Sequence, residues 1–263
     1  MTVLDRFRLD DKVVVVTGGG RGIGAAIART CAGVGANLVL ASRTQEQLDE
    51  VAADVRAAGG EAVTVVADVS DLDTLEGLVQ AAVDAFGGID VVVNNAGGSM
   101  PQAFLDTSVR AFEKAFHFNV TTAFRLTQLA VPHMLGRENA SVVNISSAIG
   151  RMSDRGFAAY GTAKGALTHL TRLLAADLAP RLRVNGISVG SVATSALQVV
   201  LDSEEIHDEM VDRTPLKRLG DPDDIANAAL WLASPAGSWV TGKVVEVDGG
   251  LEAPNLAMGL PDL

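Results

Sequence analysis

A single cysteine, Cys31, stands in a chain of 263 residues, so no intramolecular disulfide can form. That scarcity fits a reducing compartment, and a cytoplasmic protein is expected. Cys31 falls in a helical stretch, where its expected role is a small buried hydrophobe and not a reactive thiol. Positive charge is also short. Lys and Arg number 21 against 32 Asp and Glu, for a formal net charge of −11. A surface of that sign excludes general affinity for nucleic acid or anionic membrane and leaves only local basic patches. No apolar run approaches the ~18–20 residues that span a bilayer. Asp5, Arg6, Arg8 and Asp10 deny the N-terminus the apolar core of a signal peptide. Aromatic residues make up only 4% of the chain, and Tyr160 is its one tyrosine.

Aliphatic residues and glycine are plentiful. Hydrophobic residues at 48% suffice to bury a large core as one α/β domain over 1–263. Short β-branched runs at 13–16, 37–41, 62–67, 89–94, 141–145, 183–188 and 243–247 read as strands. Between them, 23–33, 44–58, 72–86, 108–135, 158–178 and 223–233 carry helical period. This alternation predicts a doubly wound, seven-stranded parallel sheet with helices on both faces, and ligands at the carboxyl ends of its strands. The region 189–215 has no clear strand after its start. It reads either as a substrate loop folding over the site or as a surface insertion. The tail, 252–263, contains two prolines and several apolar residues, and either packs on another subunit or ends loosely.

Directly after the first strand comes Thr17-Gly18-Gly19-Gly20-Arg21-Gly22-Ile23-Gly24. Glycines there let the backbone bend and approach a pyrophosphate, whose charge the amides at the following helix N-terminus stabilise. Where NAD-binding chains of this kind place an acidic residue at the tip of the second strand, this one has Ser42-Arg43. Arg43 with Arg21 forms a two-armed clamp for a 2′-phosphate, or both are ordinary solvated charges. NADP(H) is therefore favoured, with NAD(H) possible. Asp68 and Val69 close the third strand, where the carboxylate either accepts from an adenine amino group or caps a helix, a role Ser70 or Asp71 can also fill. Asn94-Asn95-Ala96-Gly97 ends the fourth strand with small residues where a cofactor ribose passes, or forms a plain turn.

Tyr160 and Lys164 lie four apart in a helical stretch, on one face. A phenol is a poor acid–base catalyst near neutrality, but an adjacent ammonium stabilises the phenolate, so Lys164 is expected to lower the pKa of Tyr160. Lys164 can also donate to ribose hydroxyls. Ser147, at the end of the fifth strand, can hold a substrate oxygen. Ser146 competes, and strand alternation lets only one face the site. Asn119 sits among Phe116, Phe118 and Val120, and either binds a proton-relaying water or makes a core hydrogen bond. Met100, Phe104, Met152 and Phe157 near the expected mouth suggest a lipophilic carbonyl or alcohol substrate, unless they are core.

Over essentially its whole length the chain resembles the short-chain dehydrogenase/reductase family in its compact form. The resemblance rests on Thr17-Gly18-x-x-x-Gly22-x-Gly24, Asp68, Asn94-Asn95-Ala96-Gly97, Asn119, Ser147, Tyr160-x-x-x-Lys164, Arg183-Val184-Asn185 and Asp248-Gly249-Gly250. It implies a Rossmann domain and an NAD(P)-dependent oxidoreductase with Asn119, Ser147, Tyr160 and Lys164 as catalytic tetrad. It also implies Gly190, Val192 and Thr194 beside the nicotinamide and a homo-oligomer, tetramer or dimer. Where the family usually carries Pro-Gly after the sixth strand, this chain has Val189-Gly190. The lost constraint on φ should loosen that turn and weaken cofactor affinity. A non-catalytic NADP(H)-sensing protein on the same fold is the alternative, because fold does not fix function.

Overall fold

Valine-rich runs form the inner strands because branched side chains pack well on a pleated surface buried on both faces. In the computed structural model, which describes residues 2–194, 197, 203–256 and 259–260, β1 (Val13–Thr17) is buried along its whole length. It is followed by α1 (Gly22–Ala32), β2 (Asn37–Ser42), α2 (Gln45–Ala57), β3 (Ala62–Val66), α3 (Thr74–Phe86) and β4 (Val91–Asn94). Then come α4 (Val109–Phe116), α5 (Thr122–Met134), β5 (Ser141–Ser147), α6 (Ala158–Leu178) and β6 (Arg183–Val189). The last elements are α7 (Glu204–Arg213), α8 (Pro222–Ala233) and β7 (Val244–Val247). All seven strands join one parallel sheet in the order β3-β2-β1-β4-β5-β6-β7.

The strand order reverses between β1 and β4, and the crevice beyond their carboxyl ends is where such sheets accept ligands. Alternation along β1 sends Val14 and Val16 into a core layer with Ile27, Leu38 and Leu232 on one face. Val13 and Val15 join Leu78, Leu126 and Met134 on the other. None of the helices among the described residues is long and apolar enough to cross a membrane.

Three expectations are corrected. The helix predicted over 108–135 is broken by a π turn at His117–Thr121, which separates α4 from α5. The predicted strand from Ile89 starts at Val91 instead, and just before it the Asp90 side chain accepts from the Val13 amide at 3.0 Å and from Lys12 Nζ at 3.1 Å. The region 189–215 contains α7, which sequence periodicity did not show because it buries only Met210. Its start is marked chemically: the Ser203 hydroxyl accepts from the Ile206 amide, and Glu204 and Glu205 occupy the first turn, where the helix dipole favours them.

A buried polar chain locks the middle of the sheet to the helices behind it. Asn94 Nδ2 donates to Asn144 Oδ1 at 2.8 Å and to Thr127 Oγ1 at 3.1 Å, and Asn144 Nδ2 donates to Thr171 Oγ1 at 2.9 Å. The chain joins β4 and β5 to α5 and α6, just beneath the edge where the crevice opens. Asn144→Ala leaves buried partners unsatisfied and should destabilise the fold by about 2–4 kcal/mol. Denaturant unfolding checks this, and a loss under about 1 kcal/mol would mean the chain contributes little beyond packing.

Candidate active site

At the carboxyl edge a cleft of about 800 Å³ runs from the tip of β2, across β1 and β4, to β5, β6 and α7. Its first part is the glycine loop. Gly18 has φ +64°, and a Cβ on Gly24 would lie 2.2 Å from the Gly18 carbonyl oxygen, so only glycine lets α1 pack this close to the loop. No side chain caps the N-terminus of α1 at Arg21, which leaves its first amides facing the cleft beside Gly22 and Ile23. Asn95 staples this loop to the neighbouring strand end. Its Nδ2 donates to the carbonyls of Thr17 at 2.9 Å and Gly18 at 3.2 Å, while Thr17 Oγ1 accepts from the amides of Asn95 and Ala96, both at 3.1 Å.

Arg21, Ser42 and Arg43 line one end of the cleft, both arginines exposed. Asp68 lines the same end and does not cap α3. Its Oδ1 accepts from the Ser70 hydroxyl at 2.7 Å and amide at 3.0 Å, and these bonds, helped by the charge of Arg43, hold the carboxyl below its ordinary range. Val69 is buried beneath it. The donor set suits a dinucleotide: amides for a pyrophosphate, cations and a hydroxyl beyond, and small residues in between.

The other end holds the titratable groups. Tyr160 and Lys164 follow one another along α6, with Lys164 Nζ 5.7 Å from the centre of the Tyr160 ring. Lys164 is 3% exposed, and its Nζ donates to the Ile145 carbonyl at 2.8 Å. Ser147, the last residue of β5, hydrogen-bonds Tyr160. Ser146 points the other way, to the Lys164 carbonyl and Thr168 Oγ1, both at 3.0 Å. Asn119 lies in the π turn, a feature frequent at functional sites. Its Oδ1 accepts from the Gly98 amide at 2.9 Å, and its Nδ2 donates to the carbonyls of Ala115 at 2.8 Å and Gly98 at 3.0 Å. The carboxamide is thus committed to core hydrogen bonds and clamps the turn after β4. A Cβ on Gly97 would sit 2.6 Å from Asn119 Oδ1 and 3.0 Å from Lys164 Nζ, so a glycine there lets the three meet.

The expected pKa shift of Tyr160 is reversed. Burial pushes the Tyr160 phenol up, and the Ser147 hydrogen bond opposes this only in part. Burial also pushes the Lys164 ammonium down to about 8. Both groups resist carrying charge because burial disfavours the charged form of each.

Gly190, Val192 and Thr194 also line the cleft, and Thr194 packs against Gly22. The turn expected to be loosened by Val189 is braced: Val189 is buried, the Gly190 amide donates to the Val247 carbonyl at 3.1 Å, and Val192 pairs with Gly220. Of the four apolar residues expected at the mouth, Met152 and Phe157 line the cleft. Met100 and Phe104 stand outside it, 82% and 70% exposed. Sequence reading missed Met210 on α7 and Leu251, Pro254, Asn255 and Leu256 from the tail, all of which form its wall. From Pro254 to Leu256 the tail packs into this wall, with Asn255 buried.

The family model for enoyl-(acyl carrier protein) reductase matches residues 18–252. An uncharacterised oxidoreductase of Mycobacterium tuberculosis is 58% identical over 262 residues, covering 99% of this chain and all of that one. The 7α-hydroxysteroid dehydrogenase of Escherichia coli K12 is 38% identical over 247 residues, 94% of this chain and 96% of its own. A solved structure of a 7α-hydroxysteroid dehydrogenase complexed with NADH and 7-oxo glycochenodeoxycholic acid superposes with a TM-score of 0.91 at 38% identity, covering 95% of this chain and 98% of that one.

The depressed pKa of Lys164 sets a pH dependence. From pH 8 upward the folded chain releases the Lys164 proton while the unfolded chain retains it to about pH 10.5, so deprotonation favours the fold over that interval. Relative to Lys164→Met, wild-type stability should rise by on the order of 2 kcal/mol between about pH 8 and pH 10. Urea unfolding of both proteins across that range measures it, and parallel curves would contradict the burial argument.

Proposed function

Since this chain belongs to the short-chain dehydrogenase/reductase family, and so is an NAD(P)-dependent oxidoreductase acting on a ketone/alcohol pair, we propose that it uses NADP(H) on a lipophilic substrate. The observation that carries this reading is one cleft with two cations, Arg21 and Arg43, at one end and the Tyr160–Lys164 pair with Ser147 at the other. Bound nicotinamide supplies the hydride in reduction and accepts it in oxidation.

In the reductive direction Ser147 holds the carbonyl oxygen and Tyr160 Oη gives it a proton. A phenol pushed up by burial keeps that proton at neutral pH until an alkoxide develops beside it, which suits an acid. In the oxidative direction the phenol must lose its proton first, and the Lys164 ammonium, still largely charged at neutral pH, stabilises the resulting phenolate. Asn119 acts by positioning, through the Gly97–Gly98 turn. The glycine loop and first amides of α1 would hold the pyrophosphate, with Asp68 and Val69 beside the adenine and Asn95, Ala96, Gly97 and Lys164 along the ribose. Gly190, Val192 and Thr194 would flank the nicotinamide.

NADP(H) is favoured because the tip of β2 presents Arg43 and no carboxylate, although the related dehydrogenase was solved with NADH. A lipophilic substrate, hydroxysteroid-like or 3-oxoacyl-like, is supported by Met152, Phe157, Met210 and Leu251 in the wall. Apolar side chains left exposed on α4 and α5, Phe112, Phe116 and Phe124, support a homo-oligomer, tetramer or dimer. The single buried thiol of Cys31, pushed up to about 12, suits a cytoplasmic protein.

Tyr160→Phe should lower NADPH-dependent ketone reduction by more than about 1,000-fold while NADPH still binds. NADPH oxidation across a ketone panel, with fluorescence titration of the cofactor, tests this. Normal turnover would end the mechanism, and binding without consumption by the wild type would favour a sensor. Arg43→Ala should weaken NADPH by about 30-fold, from loss of a charge-assisted contact, and leave NADH little changed. Equal losses for both cofactors would remove the case for NADP(H).

A further inference from the structure

The wall of the cleft facing α6 is assembled from three segments far apart in sequence: the turn after β6, helix α7 and the C-terminal tail. They meet at one side chain. Asn255 is 3% exposed, and every polar atom of its carboxamide has a protein partner. Its Oδ1 accepts from Ser191 Oγ at 2.7 Å, while its Nδ2 donates to the Met210 carbonyl at 3.2 Å and to Thr214 Oγ1 at 2.9 Å. Thr214 Oγ1 in turn donates to the same Met210 carbonyl at 2.7 Å, which closes the end of α7 onto the carboxamide.

Asparagine suits this position because one planar group offers an acceptor and a donor in opposite directions. The acceptor takes the turn that follows Val189-Gly190, where no proline fixes the backbone. The donor takes the helix that carries Met210 into the cleft. The tail is anchored on both sides of Asn255. Arg151, just beyond β5, donates to the Leu251 carbonyl and to Asp248 Oδ2 at 2.6 Å, and Arg155 Nη1 donates to the Leu260 carbonyl at 2.8 Å. Leu251, Pro254 and Leu256 thereby become fixed wall.

We propose that Asn255 is a positioning residue that clasps the tail, α7 and the turn after β6 into one wall, and that this wall selects bulky lipophilic ketones over small ones. The size selection rests on the oxidoreductase reading above. The clasp rests on the hydrogen bonds alone. A large ring ketone leans on the part of the wall that the buried Met210 and Leu251 support from behind, and loses that contact when the wall loosens. A small ketone held by Ser147 and Tyr160 does not reach it.

The test compares wild type, Asn255→Ala and Thr214→Val, the last of which removes one of the two bonds from Asn255 to the end of α7, at a residue outside the cleft wall. With NADPH, Asn255→Ala should raise KM for a bulky ring ketone about tenfold, as expected from losing buried hydrogen bonds, with kcat within about threefold of wild type. KM for a small aliphatic ketone should stay near the wild-type value, and Thr214→Val should show the same split at smaller amplitude. A uniform loss for both ketones would reduce Asn255 to a structural role and overturn the proposal. Amide hydrogen exchange without cofactor or substrate supplies a readout independent of turnover. Residues 204–214 should exchange at least about fivefold faster in Asn255→Ala, and unchanged protection there would also overturn the clasp. If the wild type reduces neither ketone, the oxidoreductase reading and the size selection fail together, and the exchange result still decides the clasp.

Discussion

The junction between Thr17 and Asn95 is the constraint on which the cleft depends. A doubly wound sheet opens a crevice where its strand order reverses, but an open crevice is only a gap between two strand ends. Here the Thr17 hydroxyl takes the amides of Asn95 and Ala96, and the Asn95 carboxamide takes the carbonyls of Thr17 and Gly18. The backbone polar groups that the reversal would strand are thus paired, and the glycine loop is fixed against the neighbouring strand. The space left over is lined by backbone amides and small residues, which suits a long anionic ligand. Asn94, one residue earlier, faces the opposite way and ties the same strand to Asn144. Consecutive asparagines therefore secure the site and the core from two sides of one strand.

Further along the same edge, Tyr160 and Lys164 of α6 are held where burial disfavours the charged form of each. Lys164 reaches the Ile145 carbonyl and Tyr160 reaches Ser147, so both polar tips are satisfied while burial disfavours charge on each. Such a pair is poised to pass a proton, because a retained ammonium favours the phenolate and a phenolate, once formed, favours the ammonium. The arrangement needs α6 to be regular over this turn and β5 to end at Ser147. The hydrogen bonds of Ser146 to Thr168 and to the Lys164 carbonyl supply that register.

Much of this was legible in the sequence because it follows from local rules. Valine runs separated by helical period determine the strands, and a glycine cluster between a strand and a helix marks the loop. Four-residue spacing puts Tyr160 and Lys164 on one face. What was not legible depends on desolvation and on long-range packing. The residue types alone pointed to a lowered phenol pKa, because the charge of Lys164 can be read from sequence while the burial of both groups cannot. The π turn at His117–Thr121 was not read from the sequence because apolar residues run through it at Phe116, Phe118 and Val120 and hide the break. Helix α7 was missed because its one buried residue gives no stripe to detect. A signal did exist in Ser203-Glu204-Glu205, which is good N-terminal helix chemistry.

The two walls of the cleft differ in how they are held, and this bears on specificity. The wall made by the sheet edge and α6 rests on the continuous hydrogen bonding of a parallel sheet, so its geometry can change only if the fold changes. The opposite wall, made of α7 and the tail, has no ladder behind it. It depends on a few side chains: Asn255, Thr214, Ser191 and Arg151. A wall of that kind can be reshaped by substitutions that leave the sheet, the phosphate loop and the proton-transfer pair untouched. Chemistry and cofactor binding therefore belong to the part of the molecule that cannot vary cheaply, and substrate choice to the part that can.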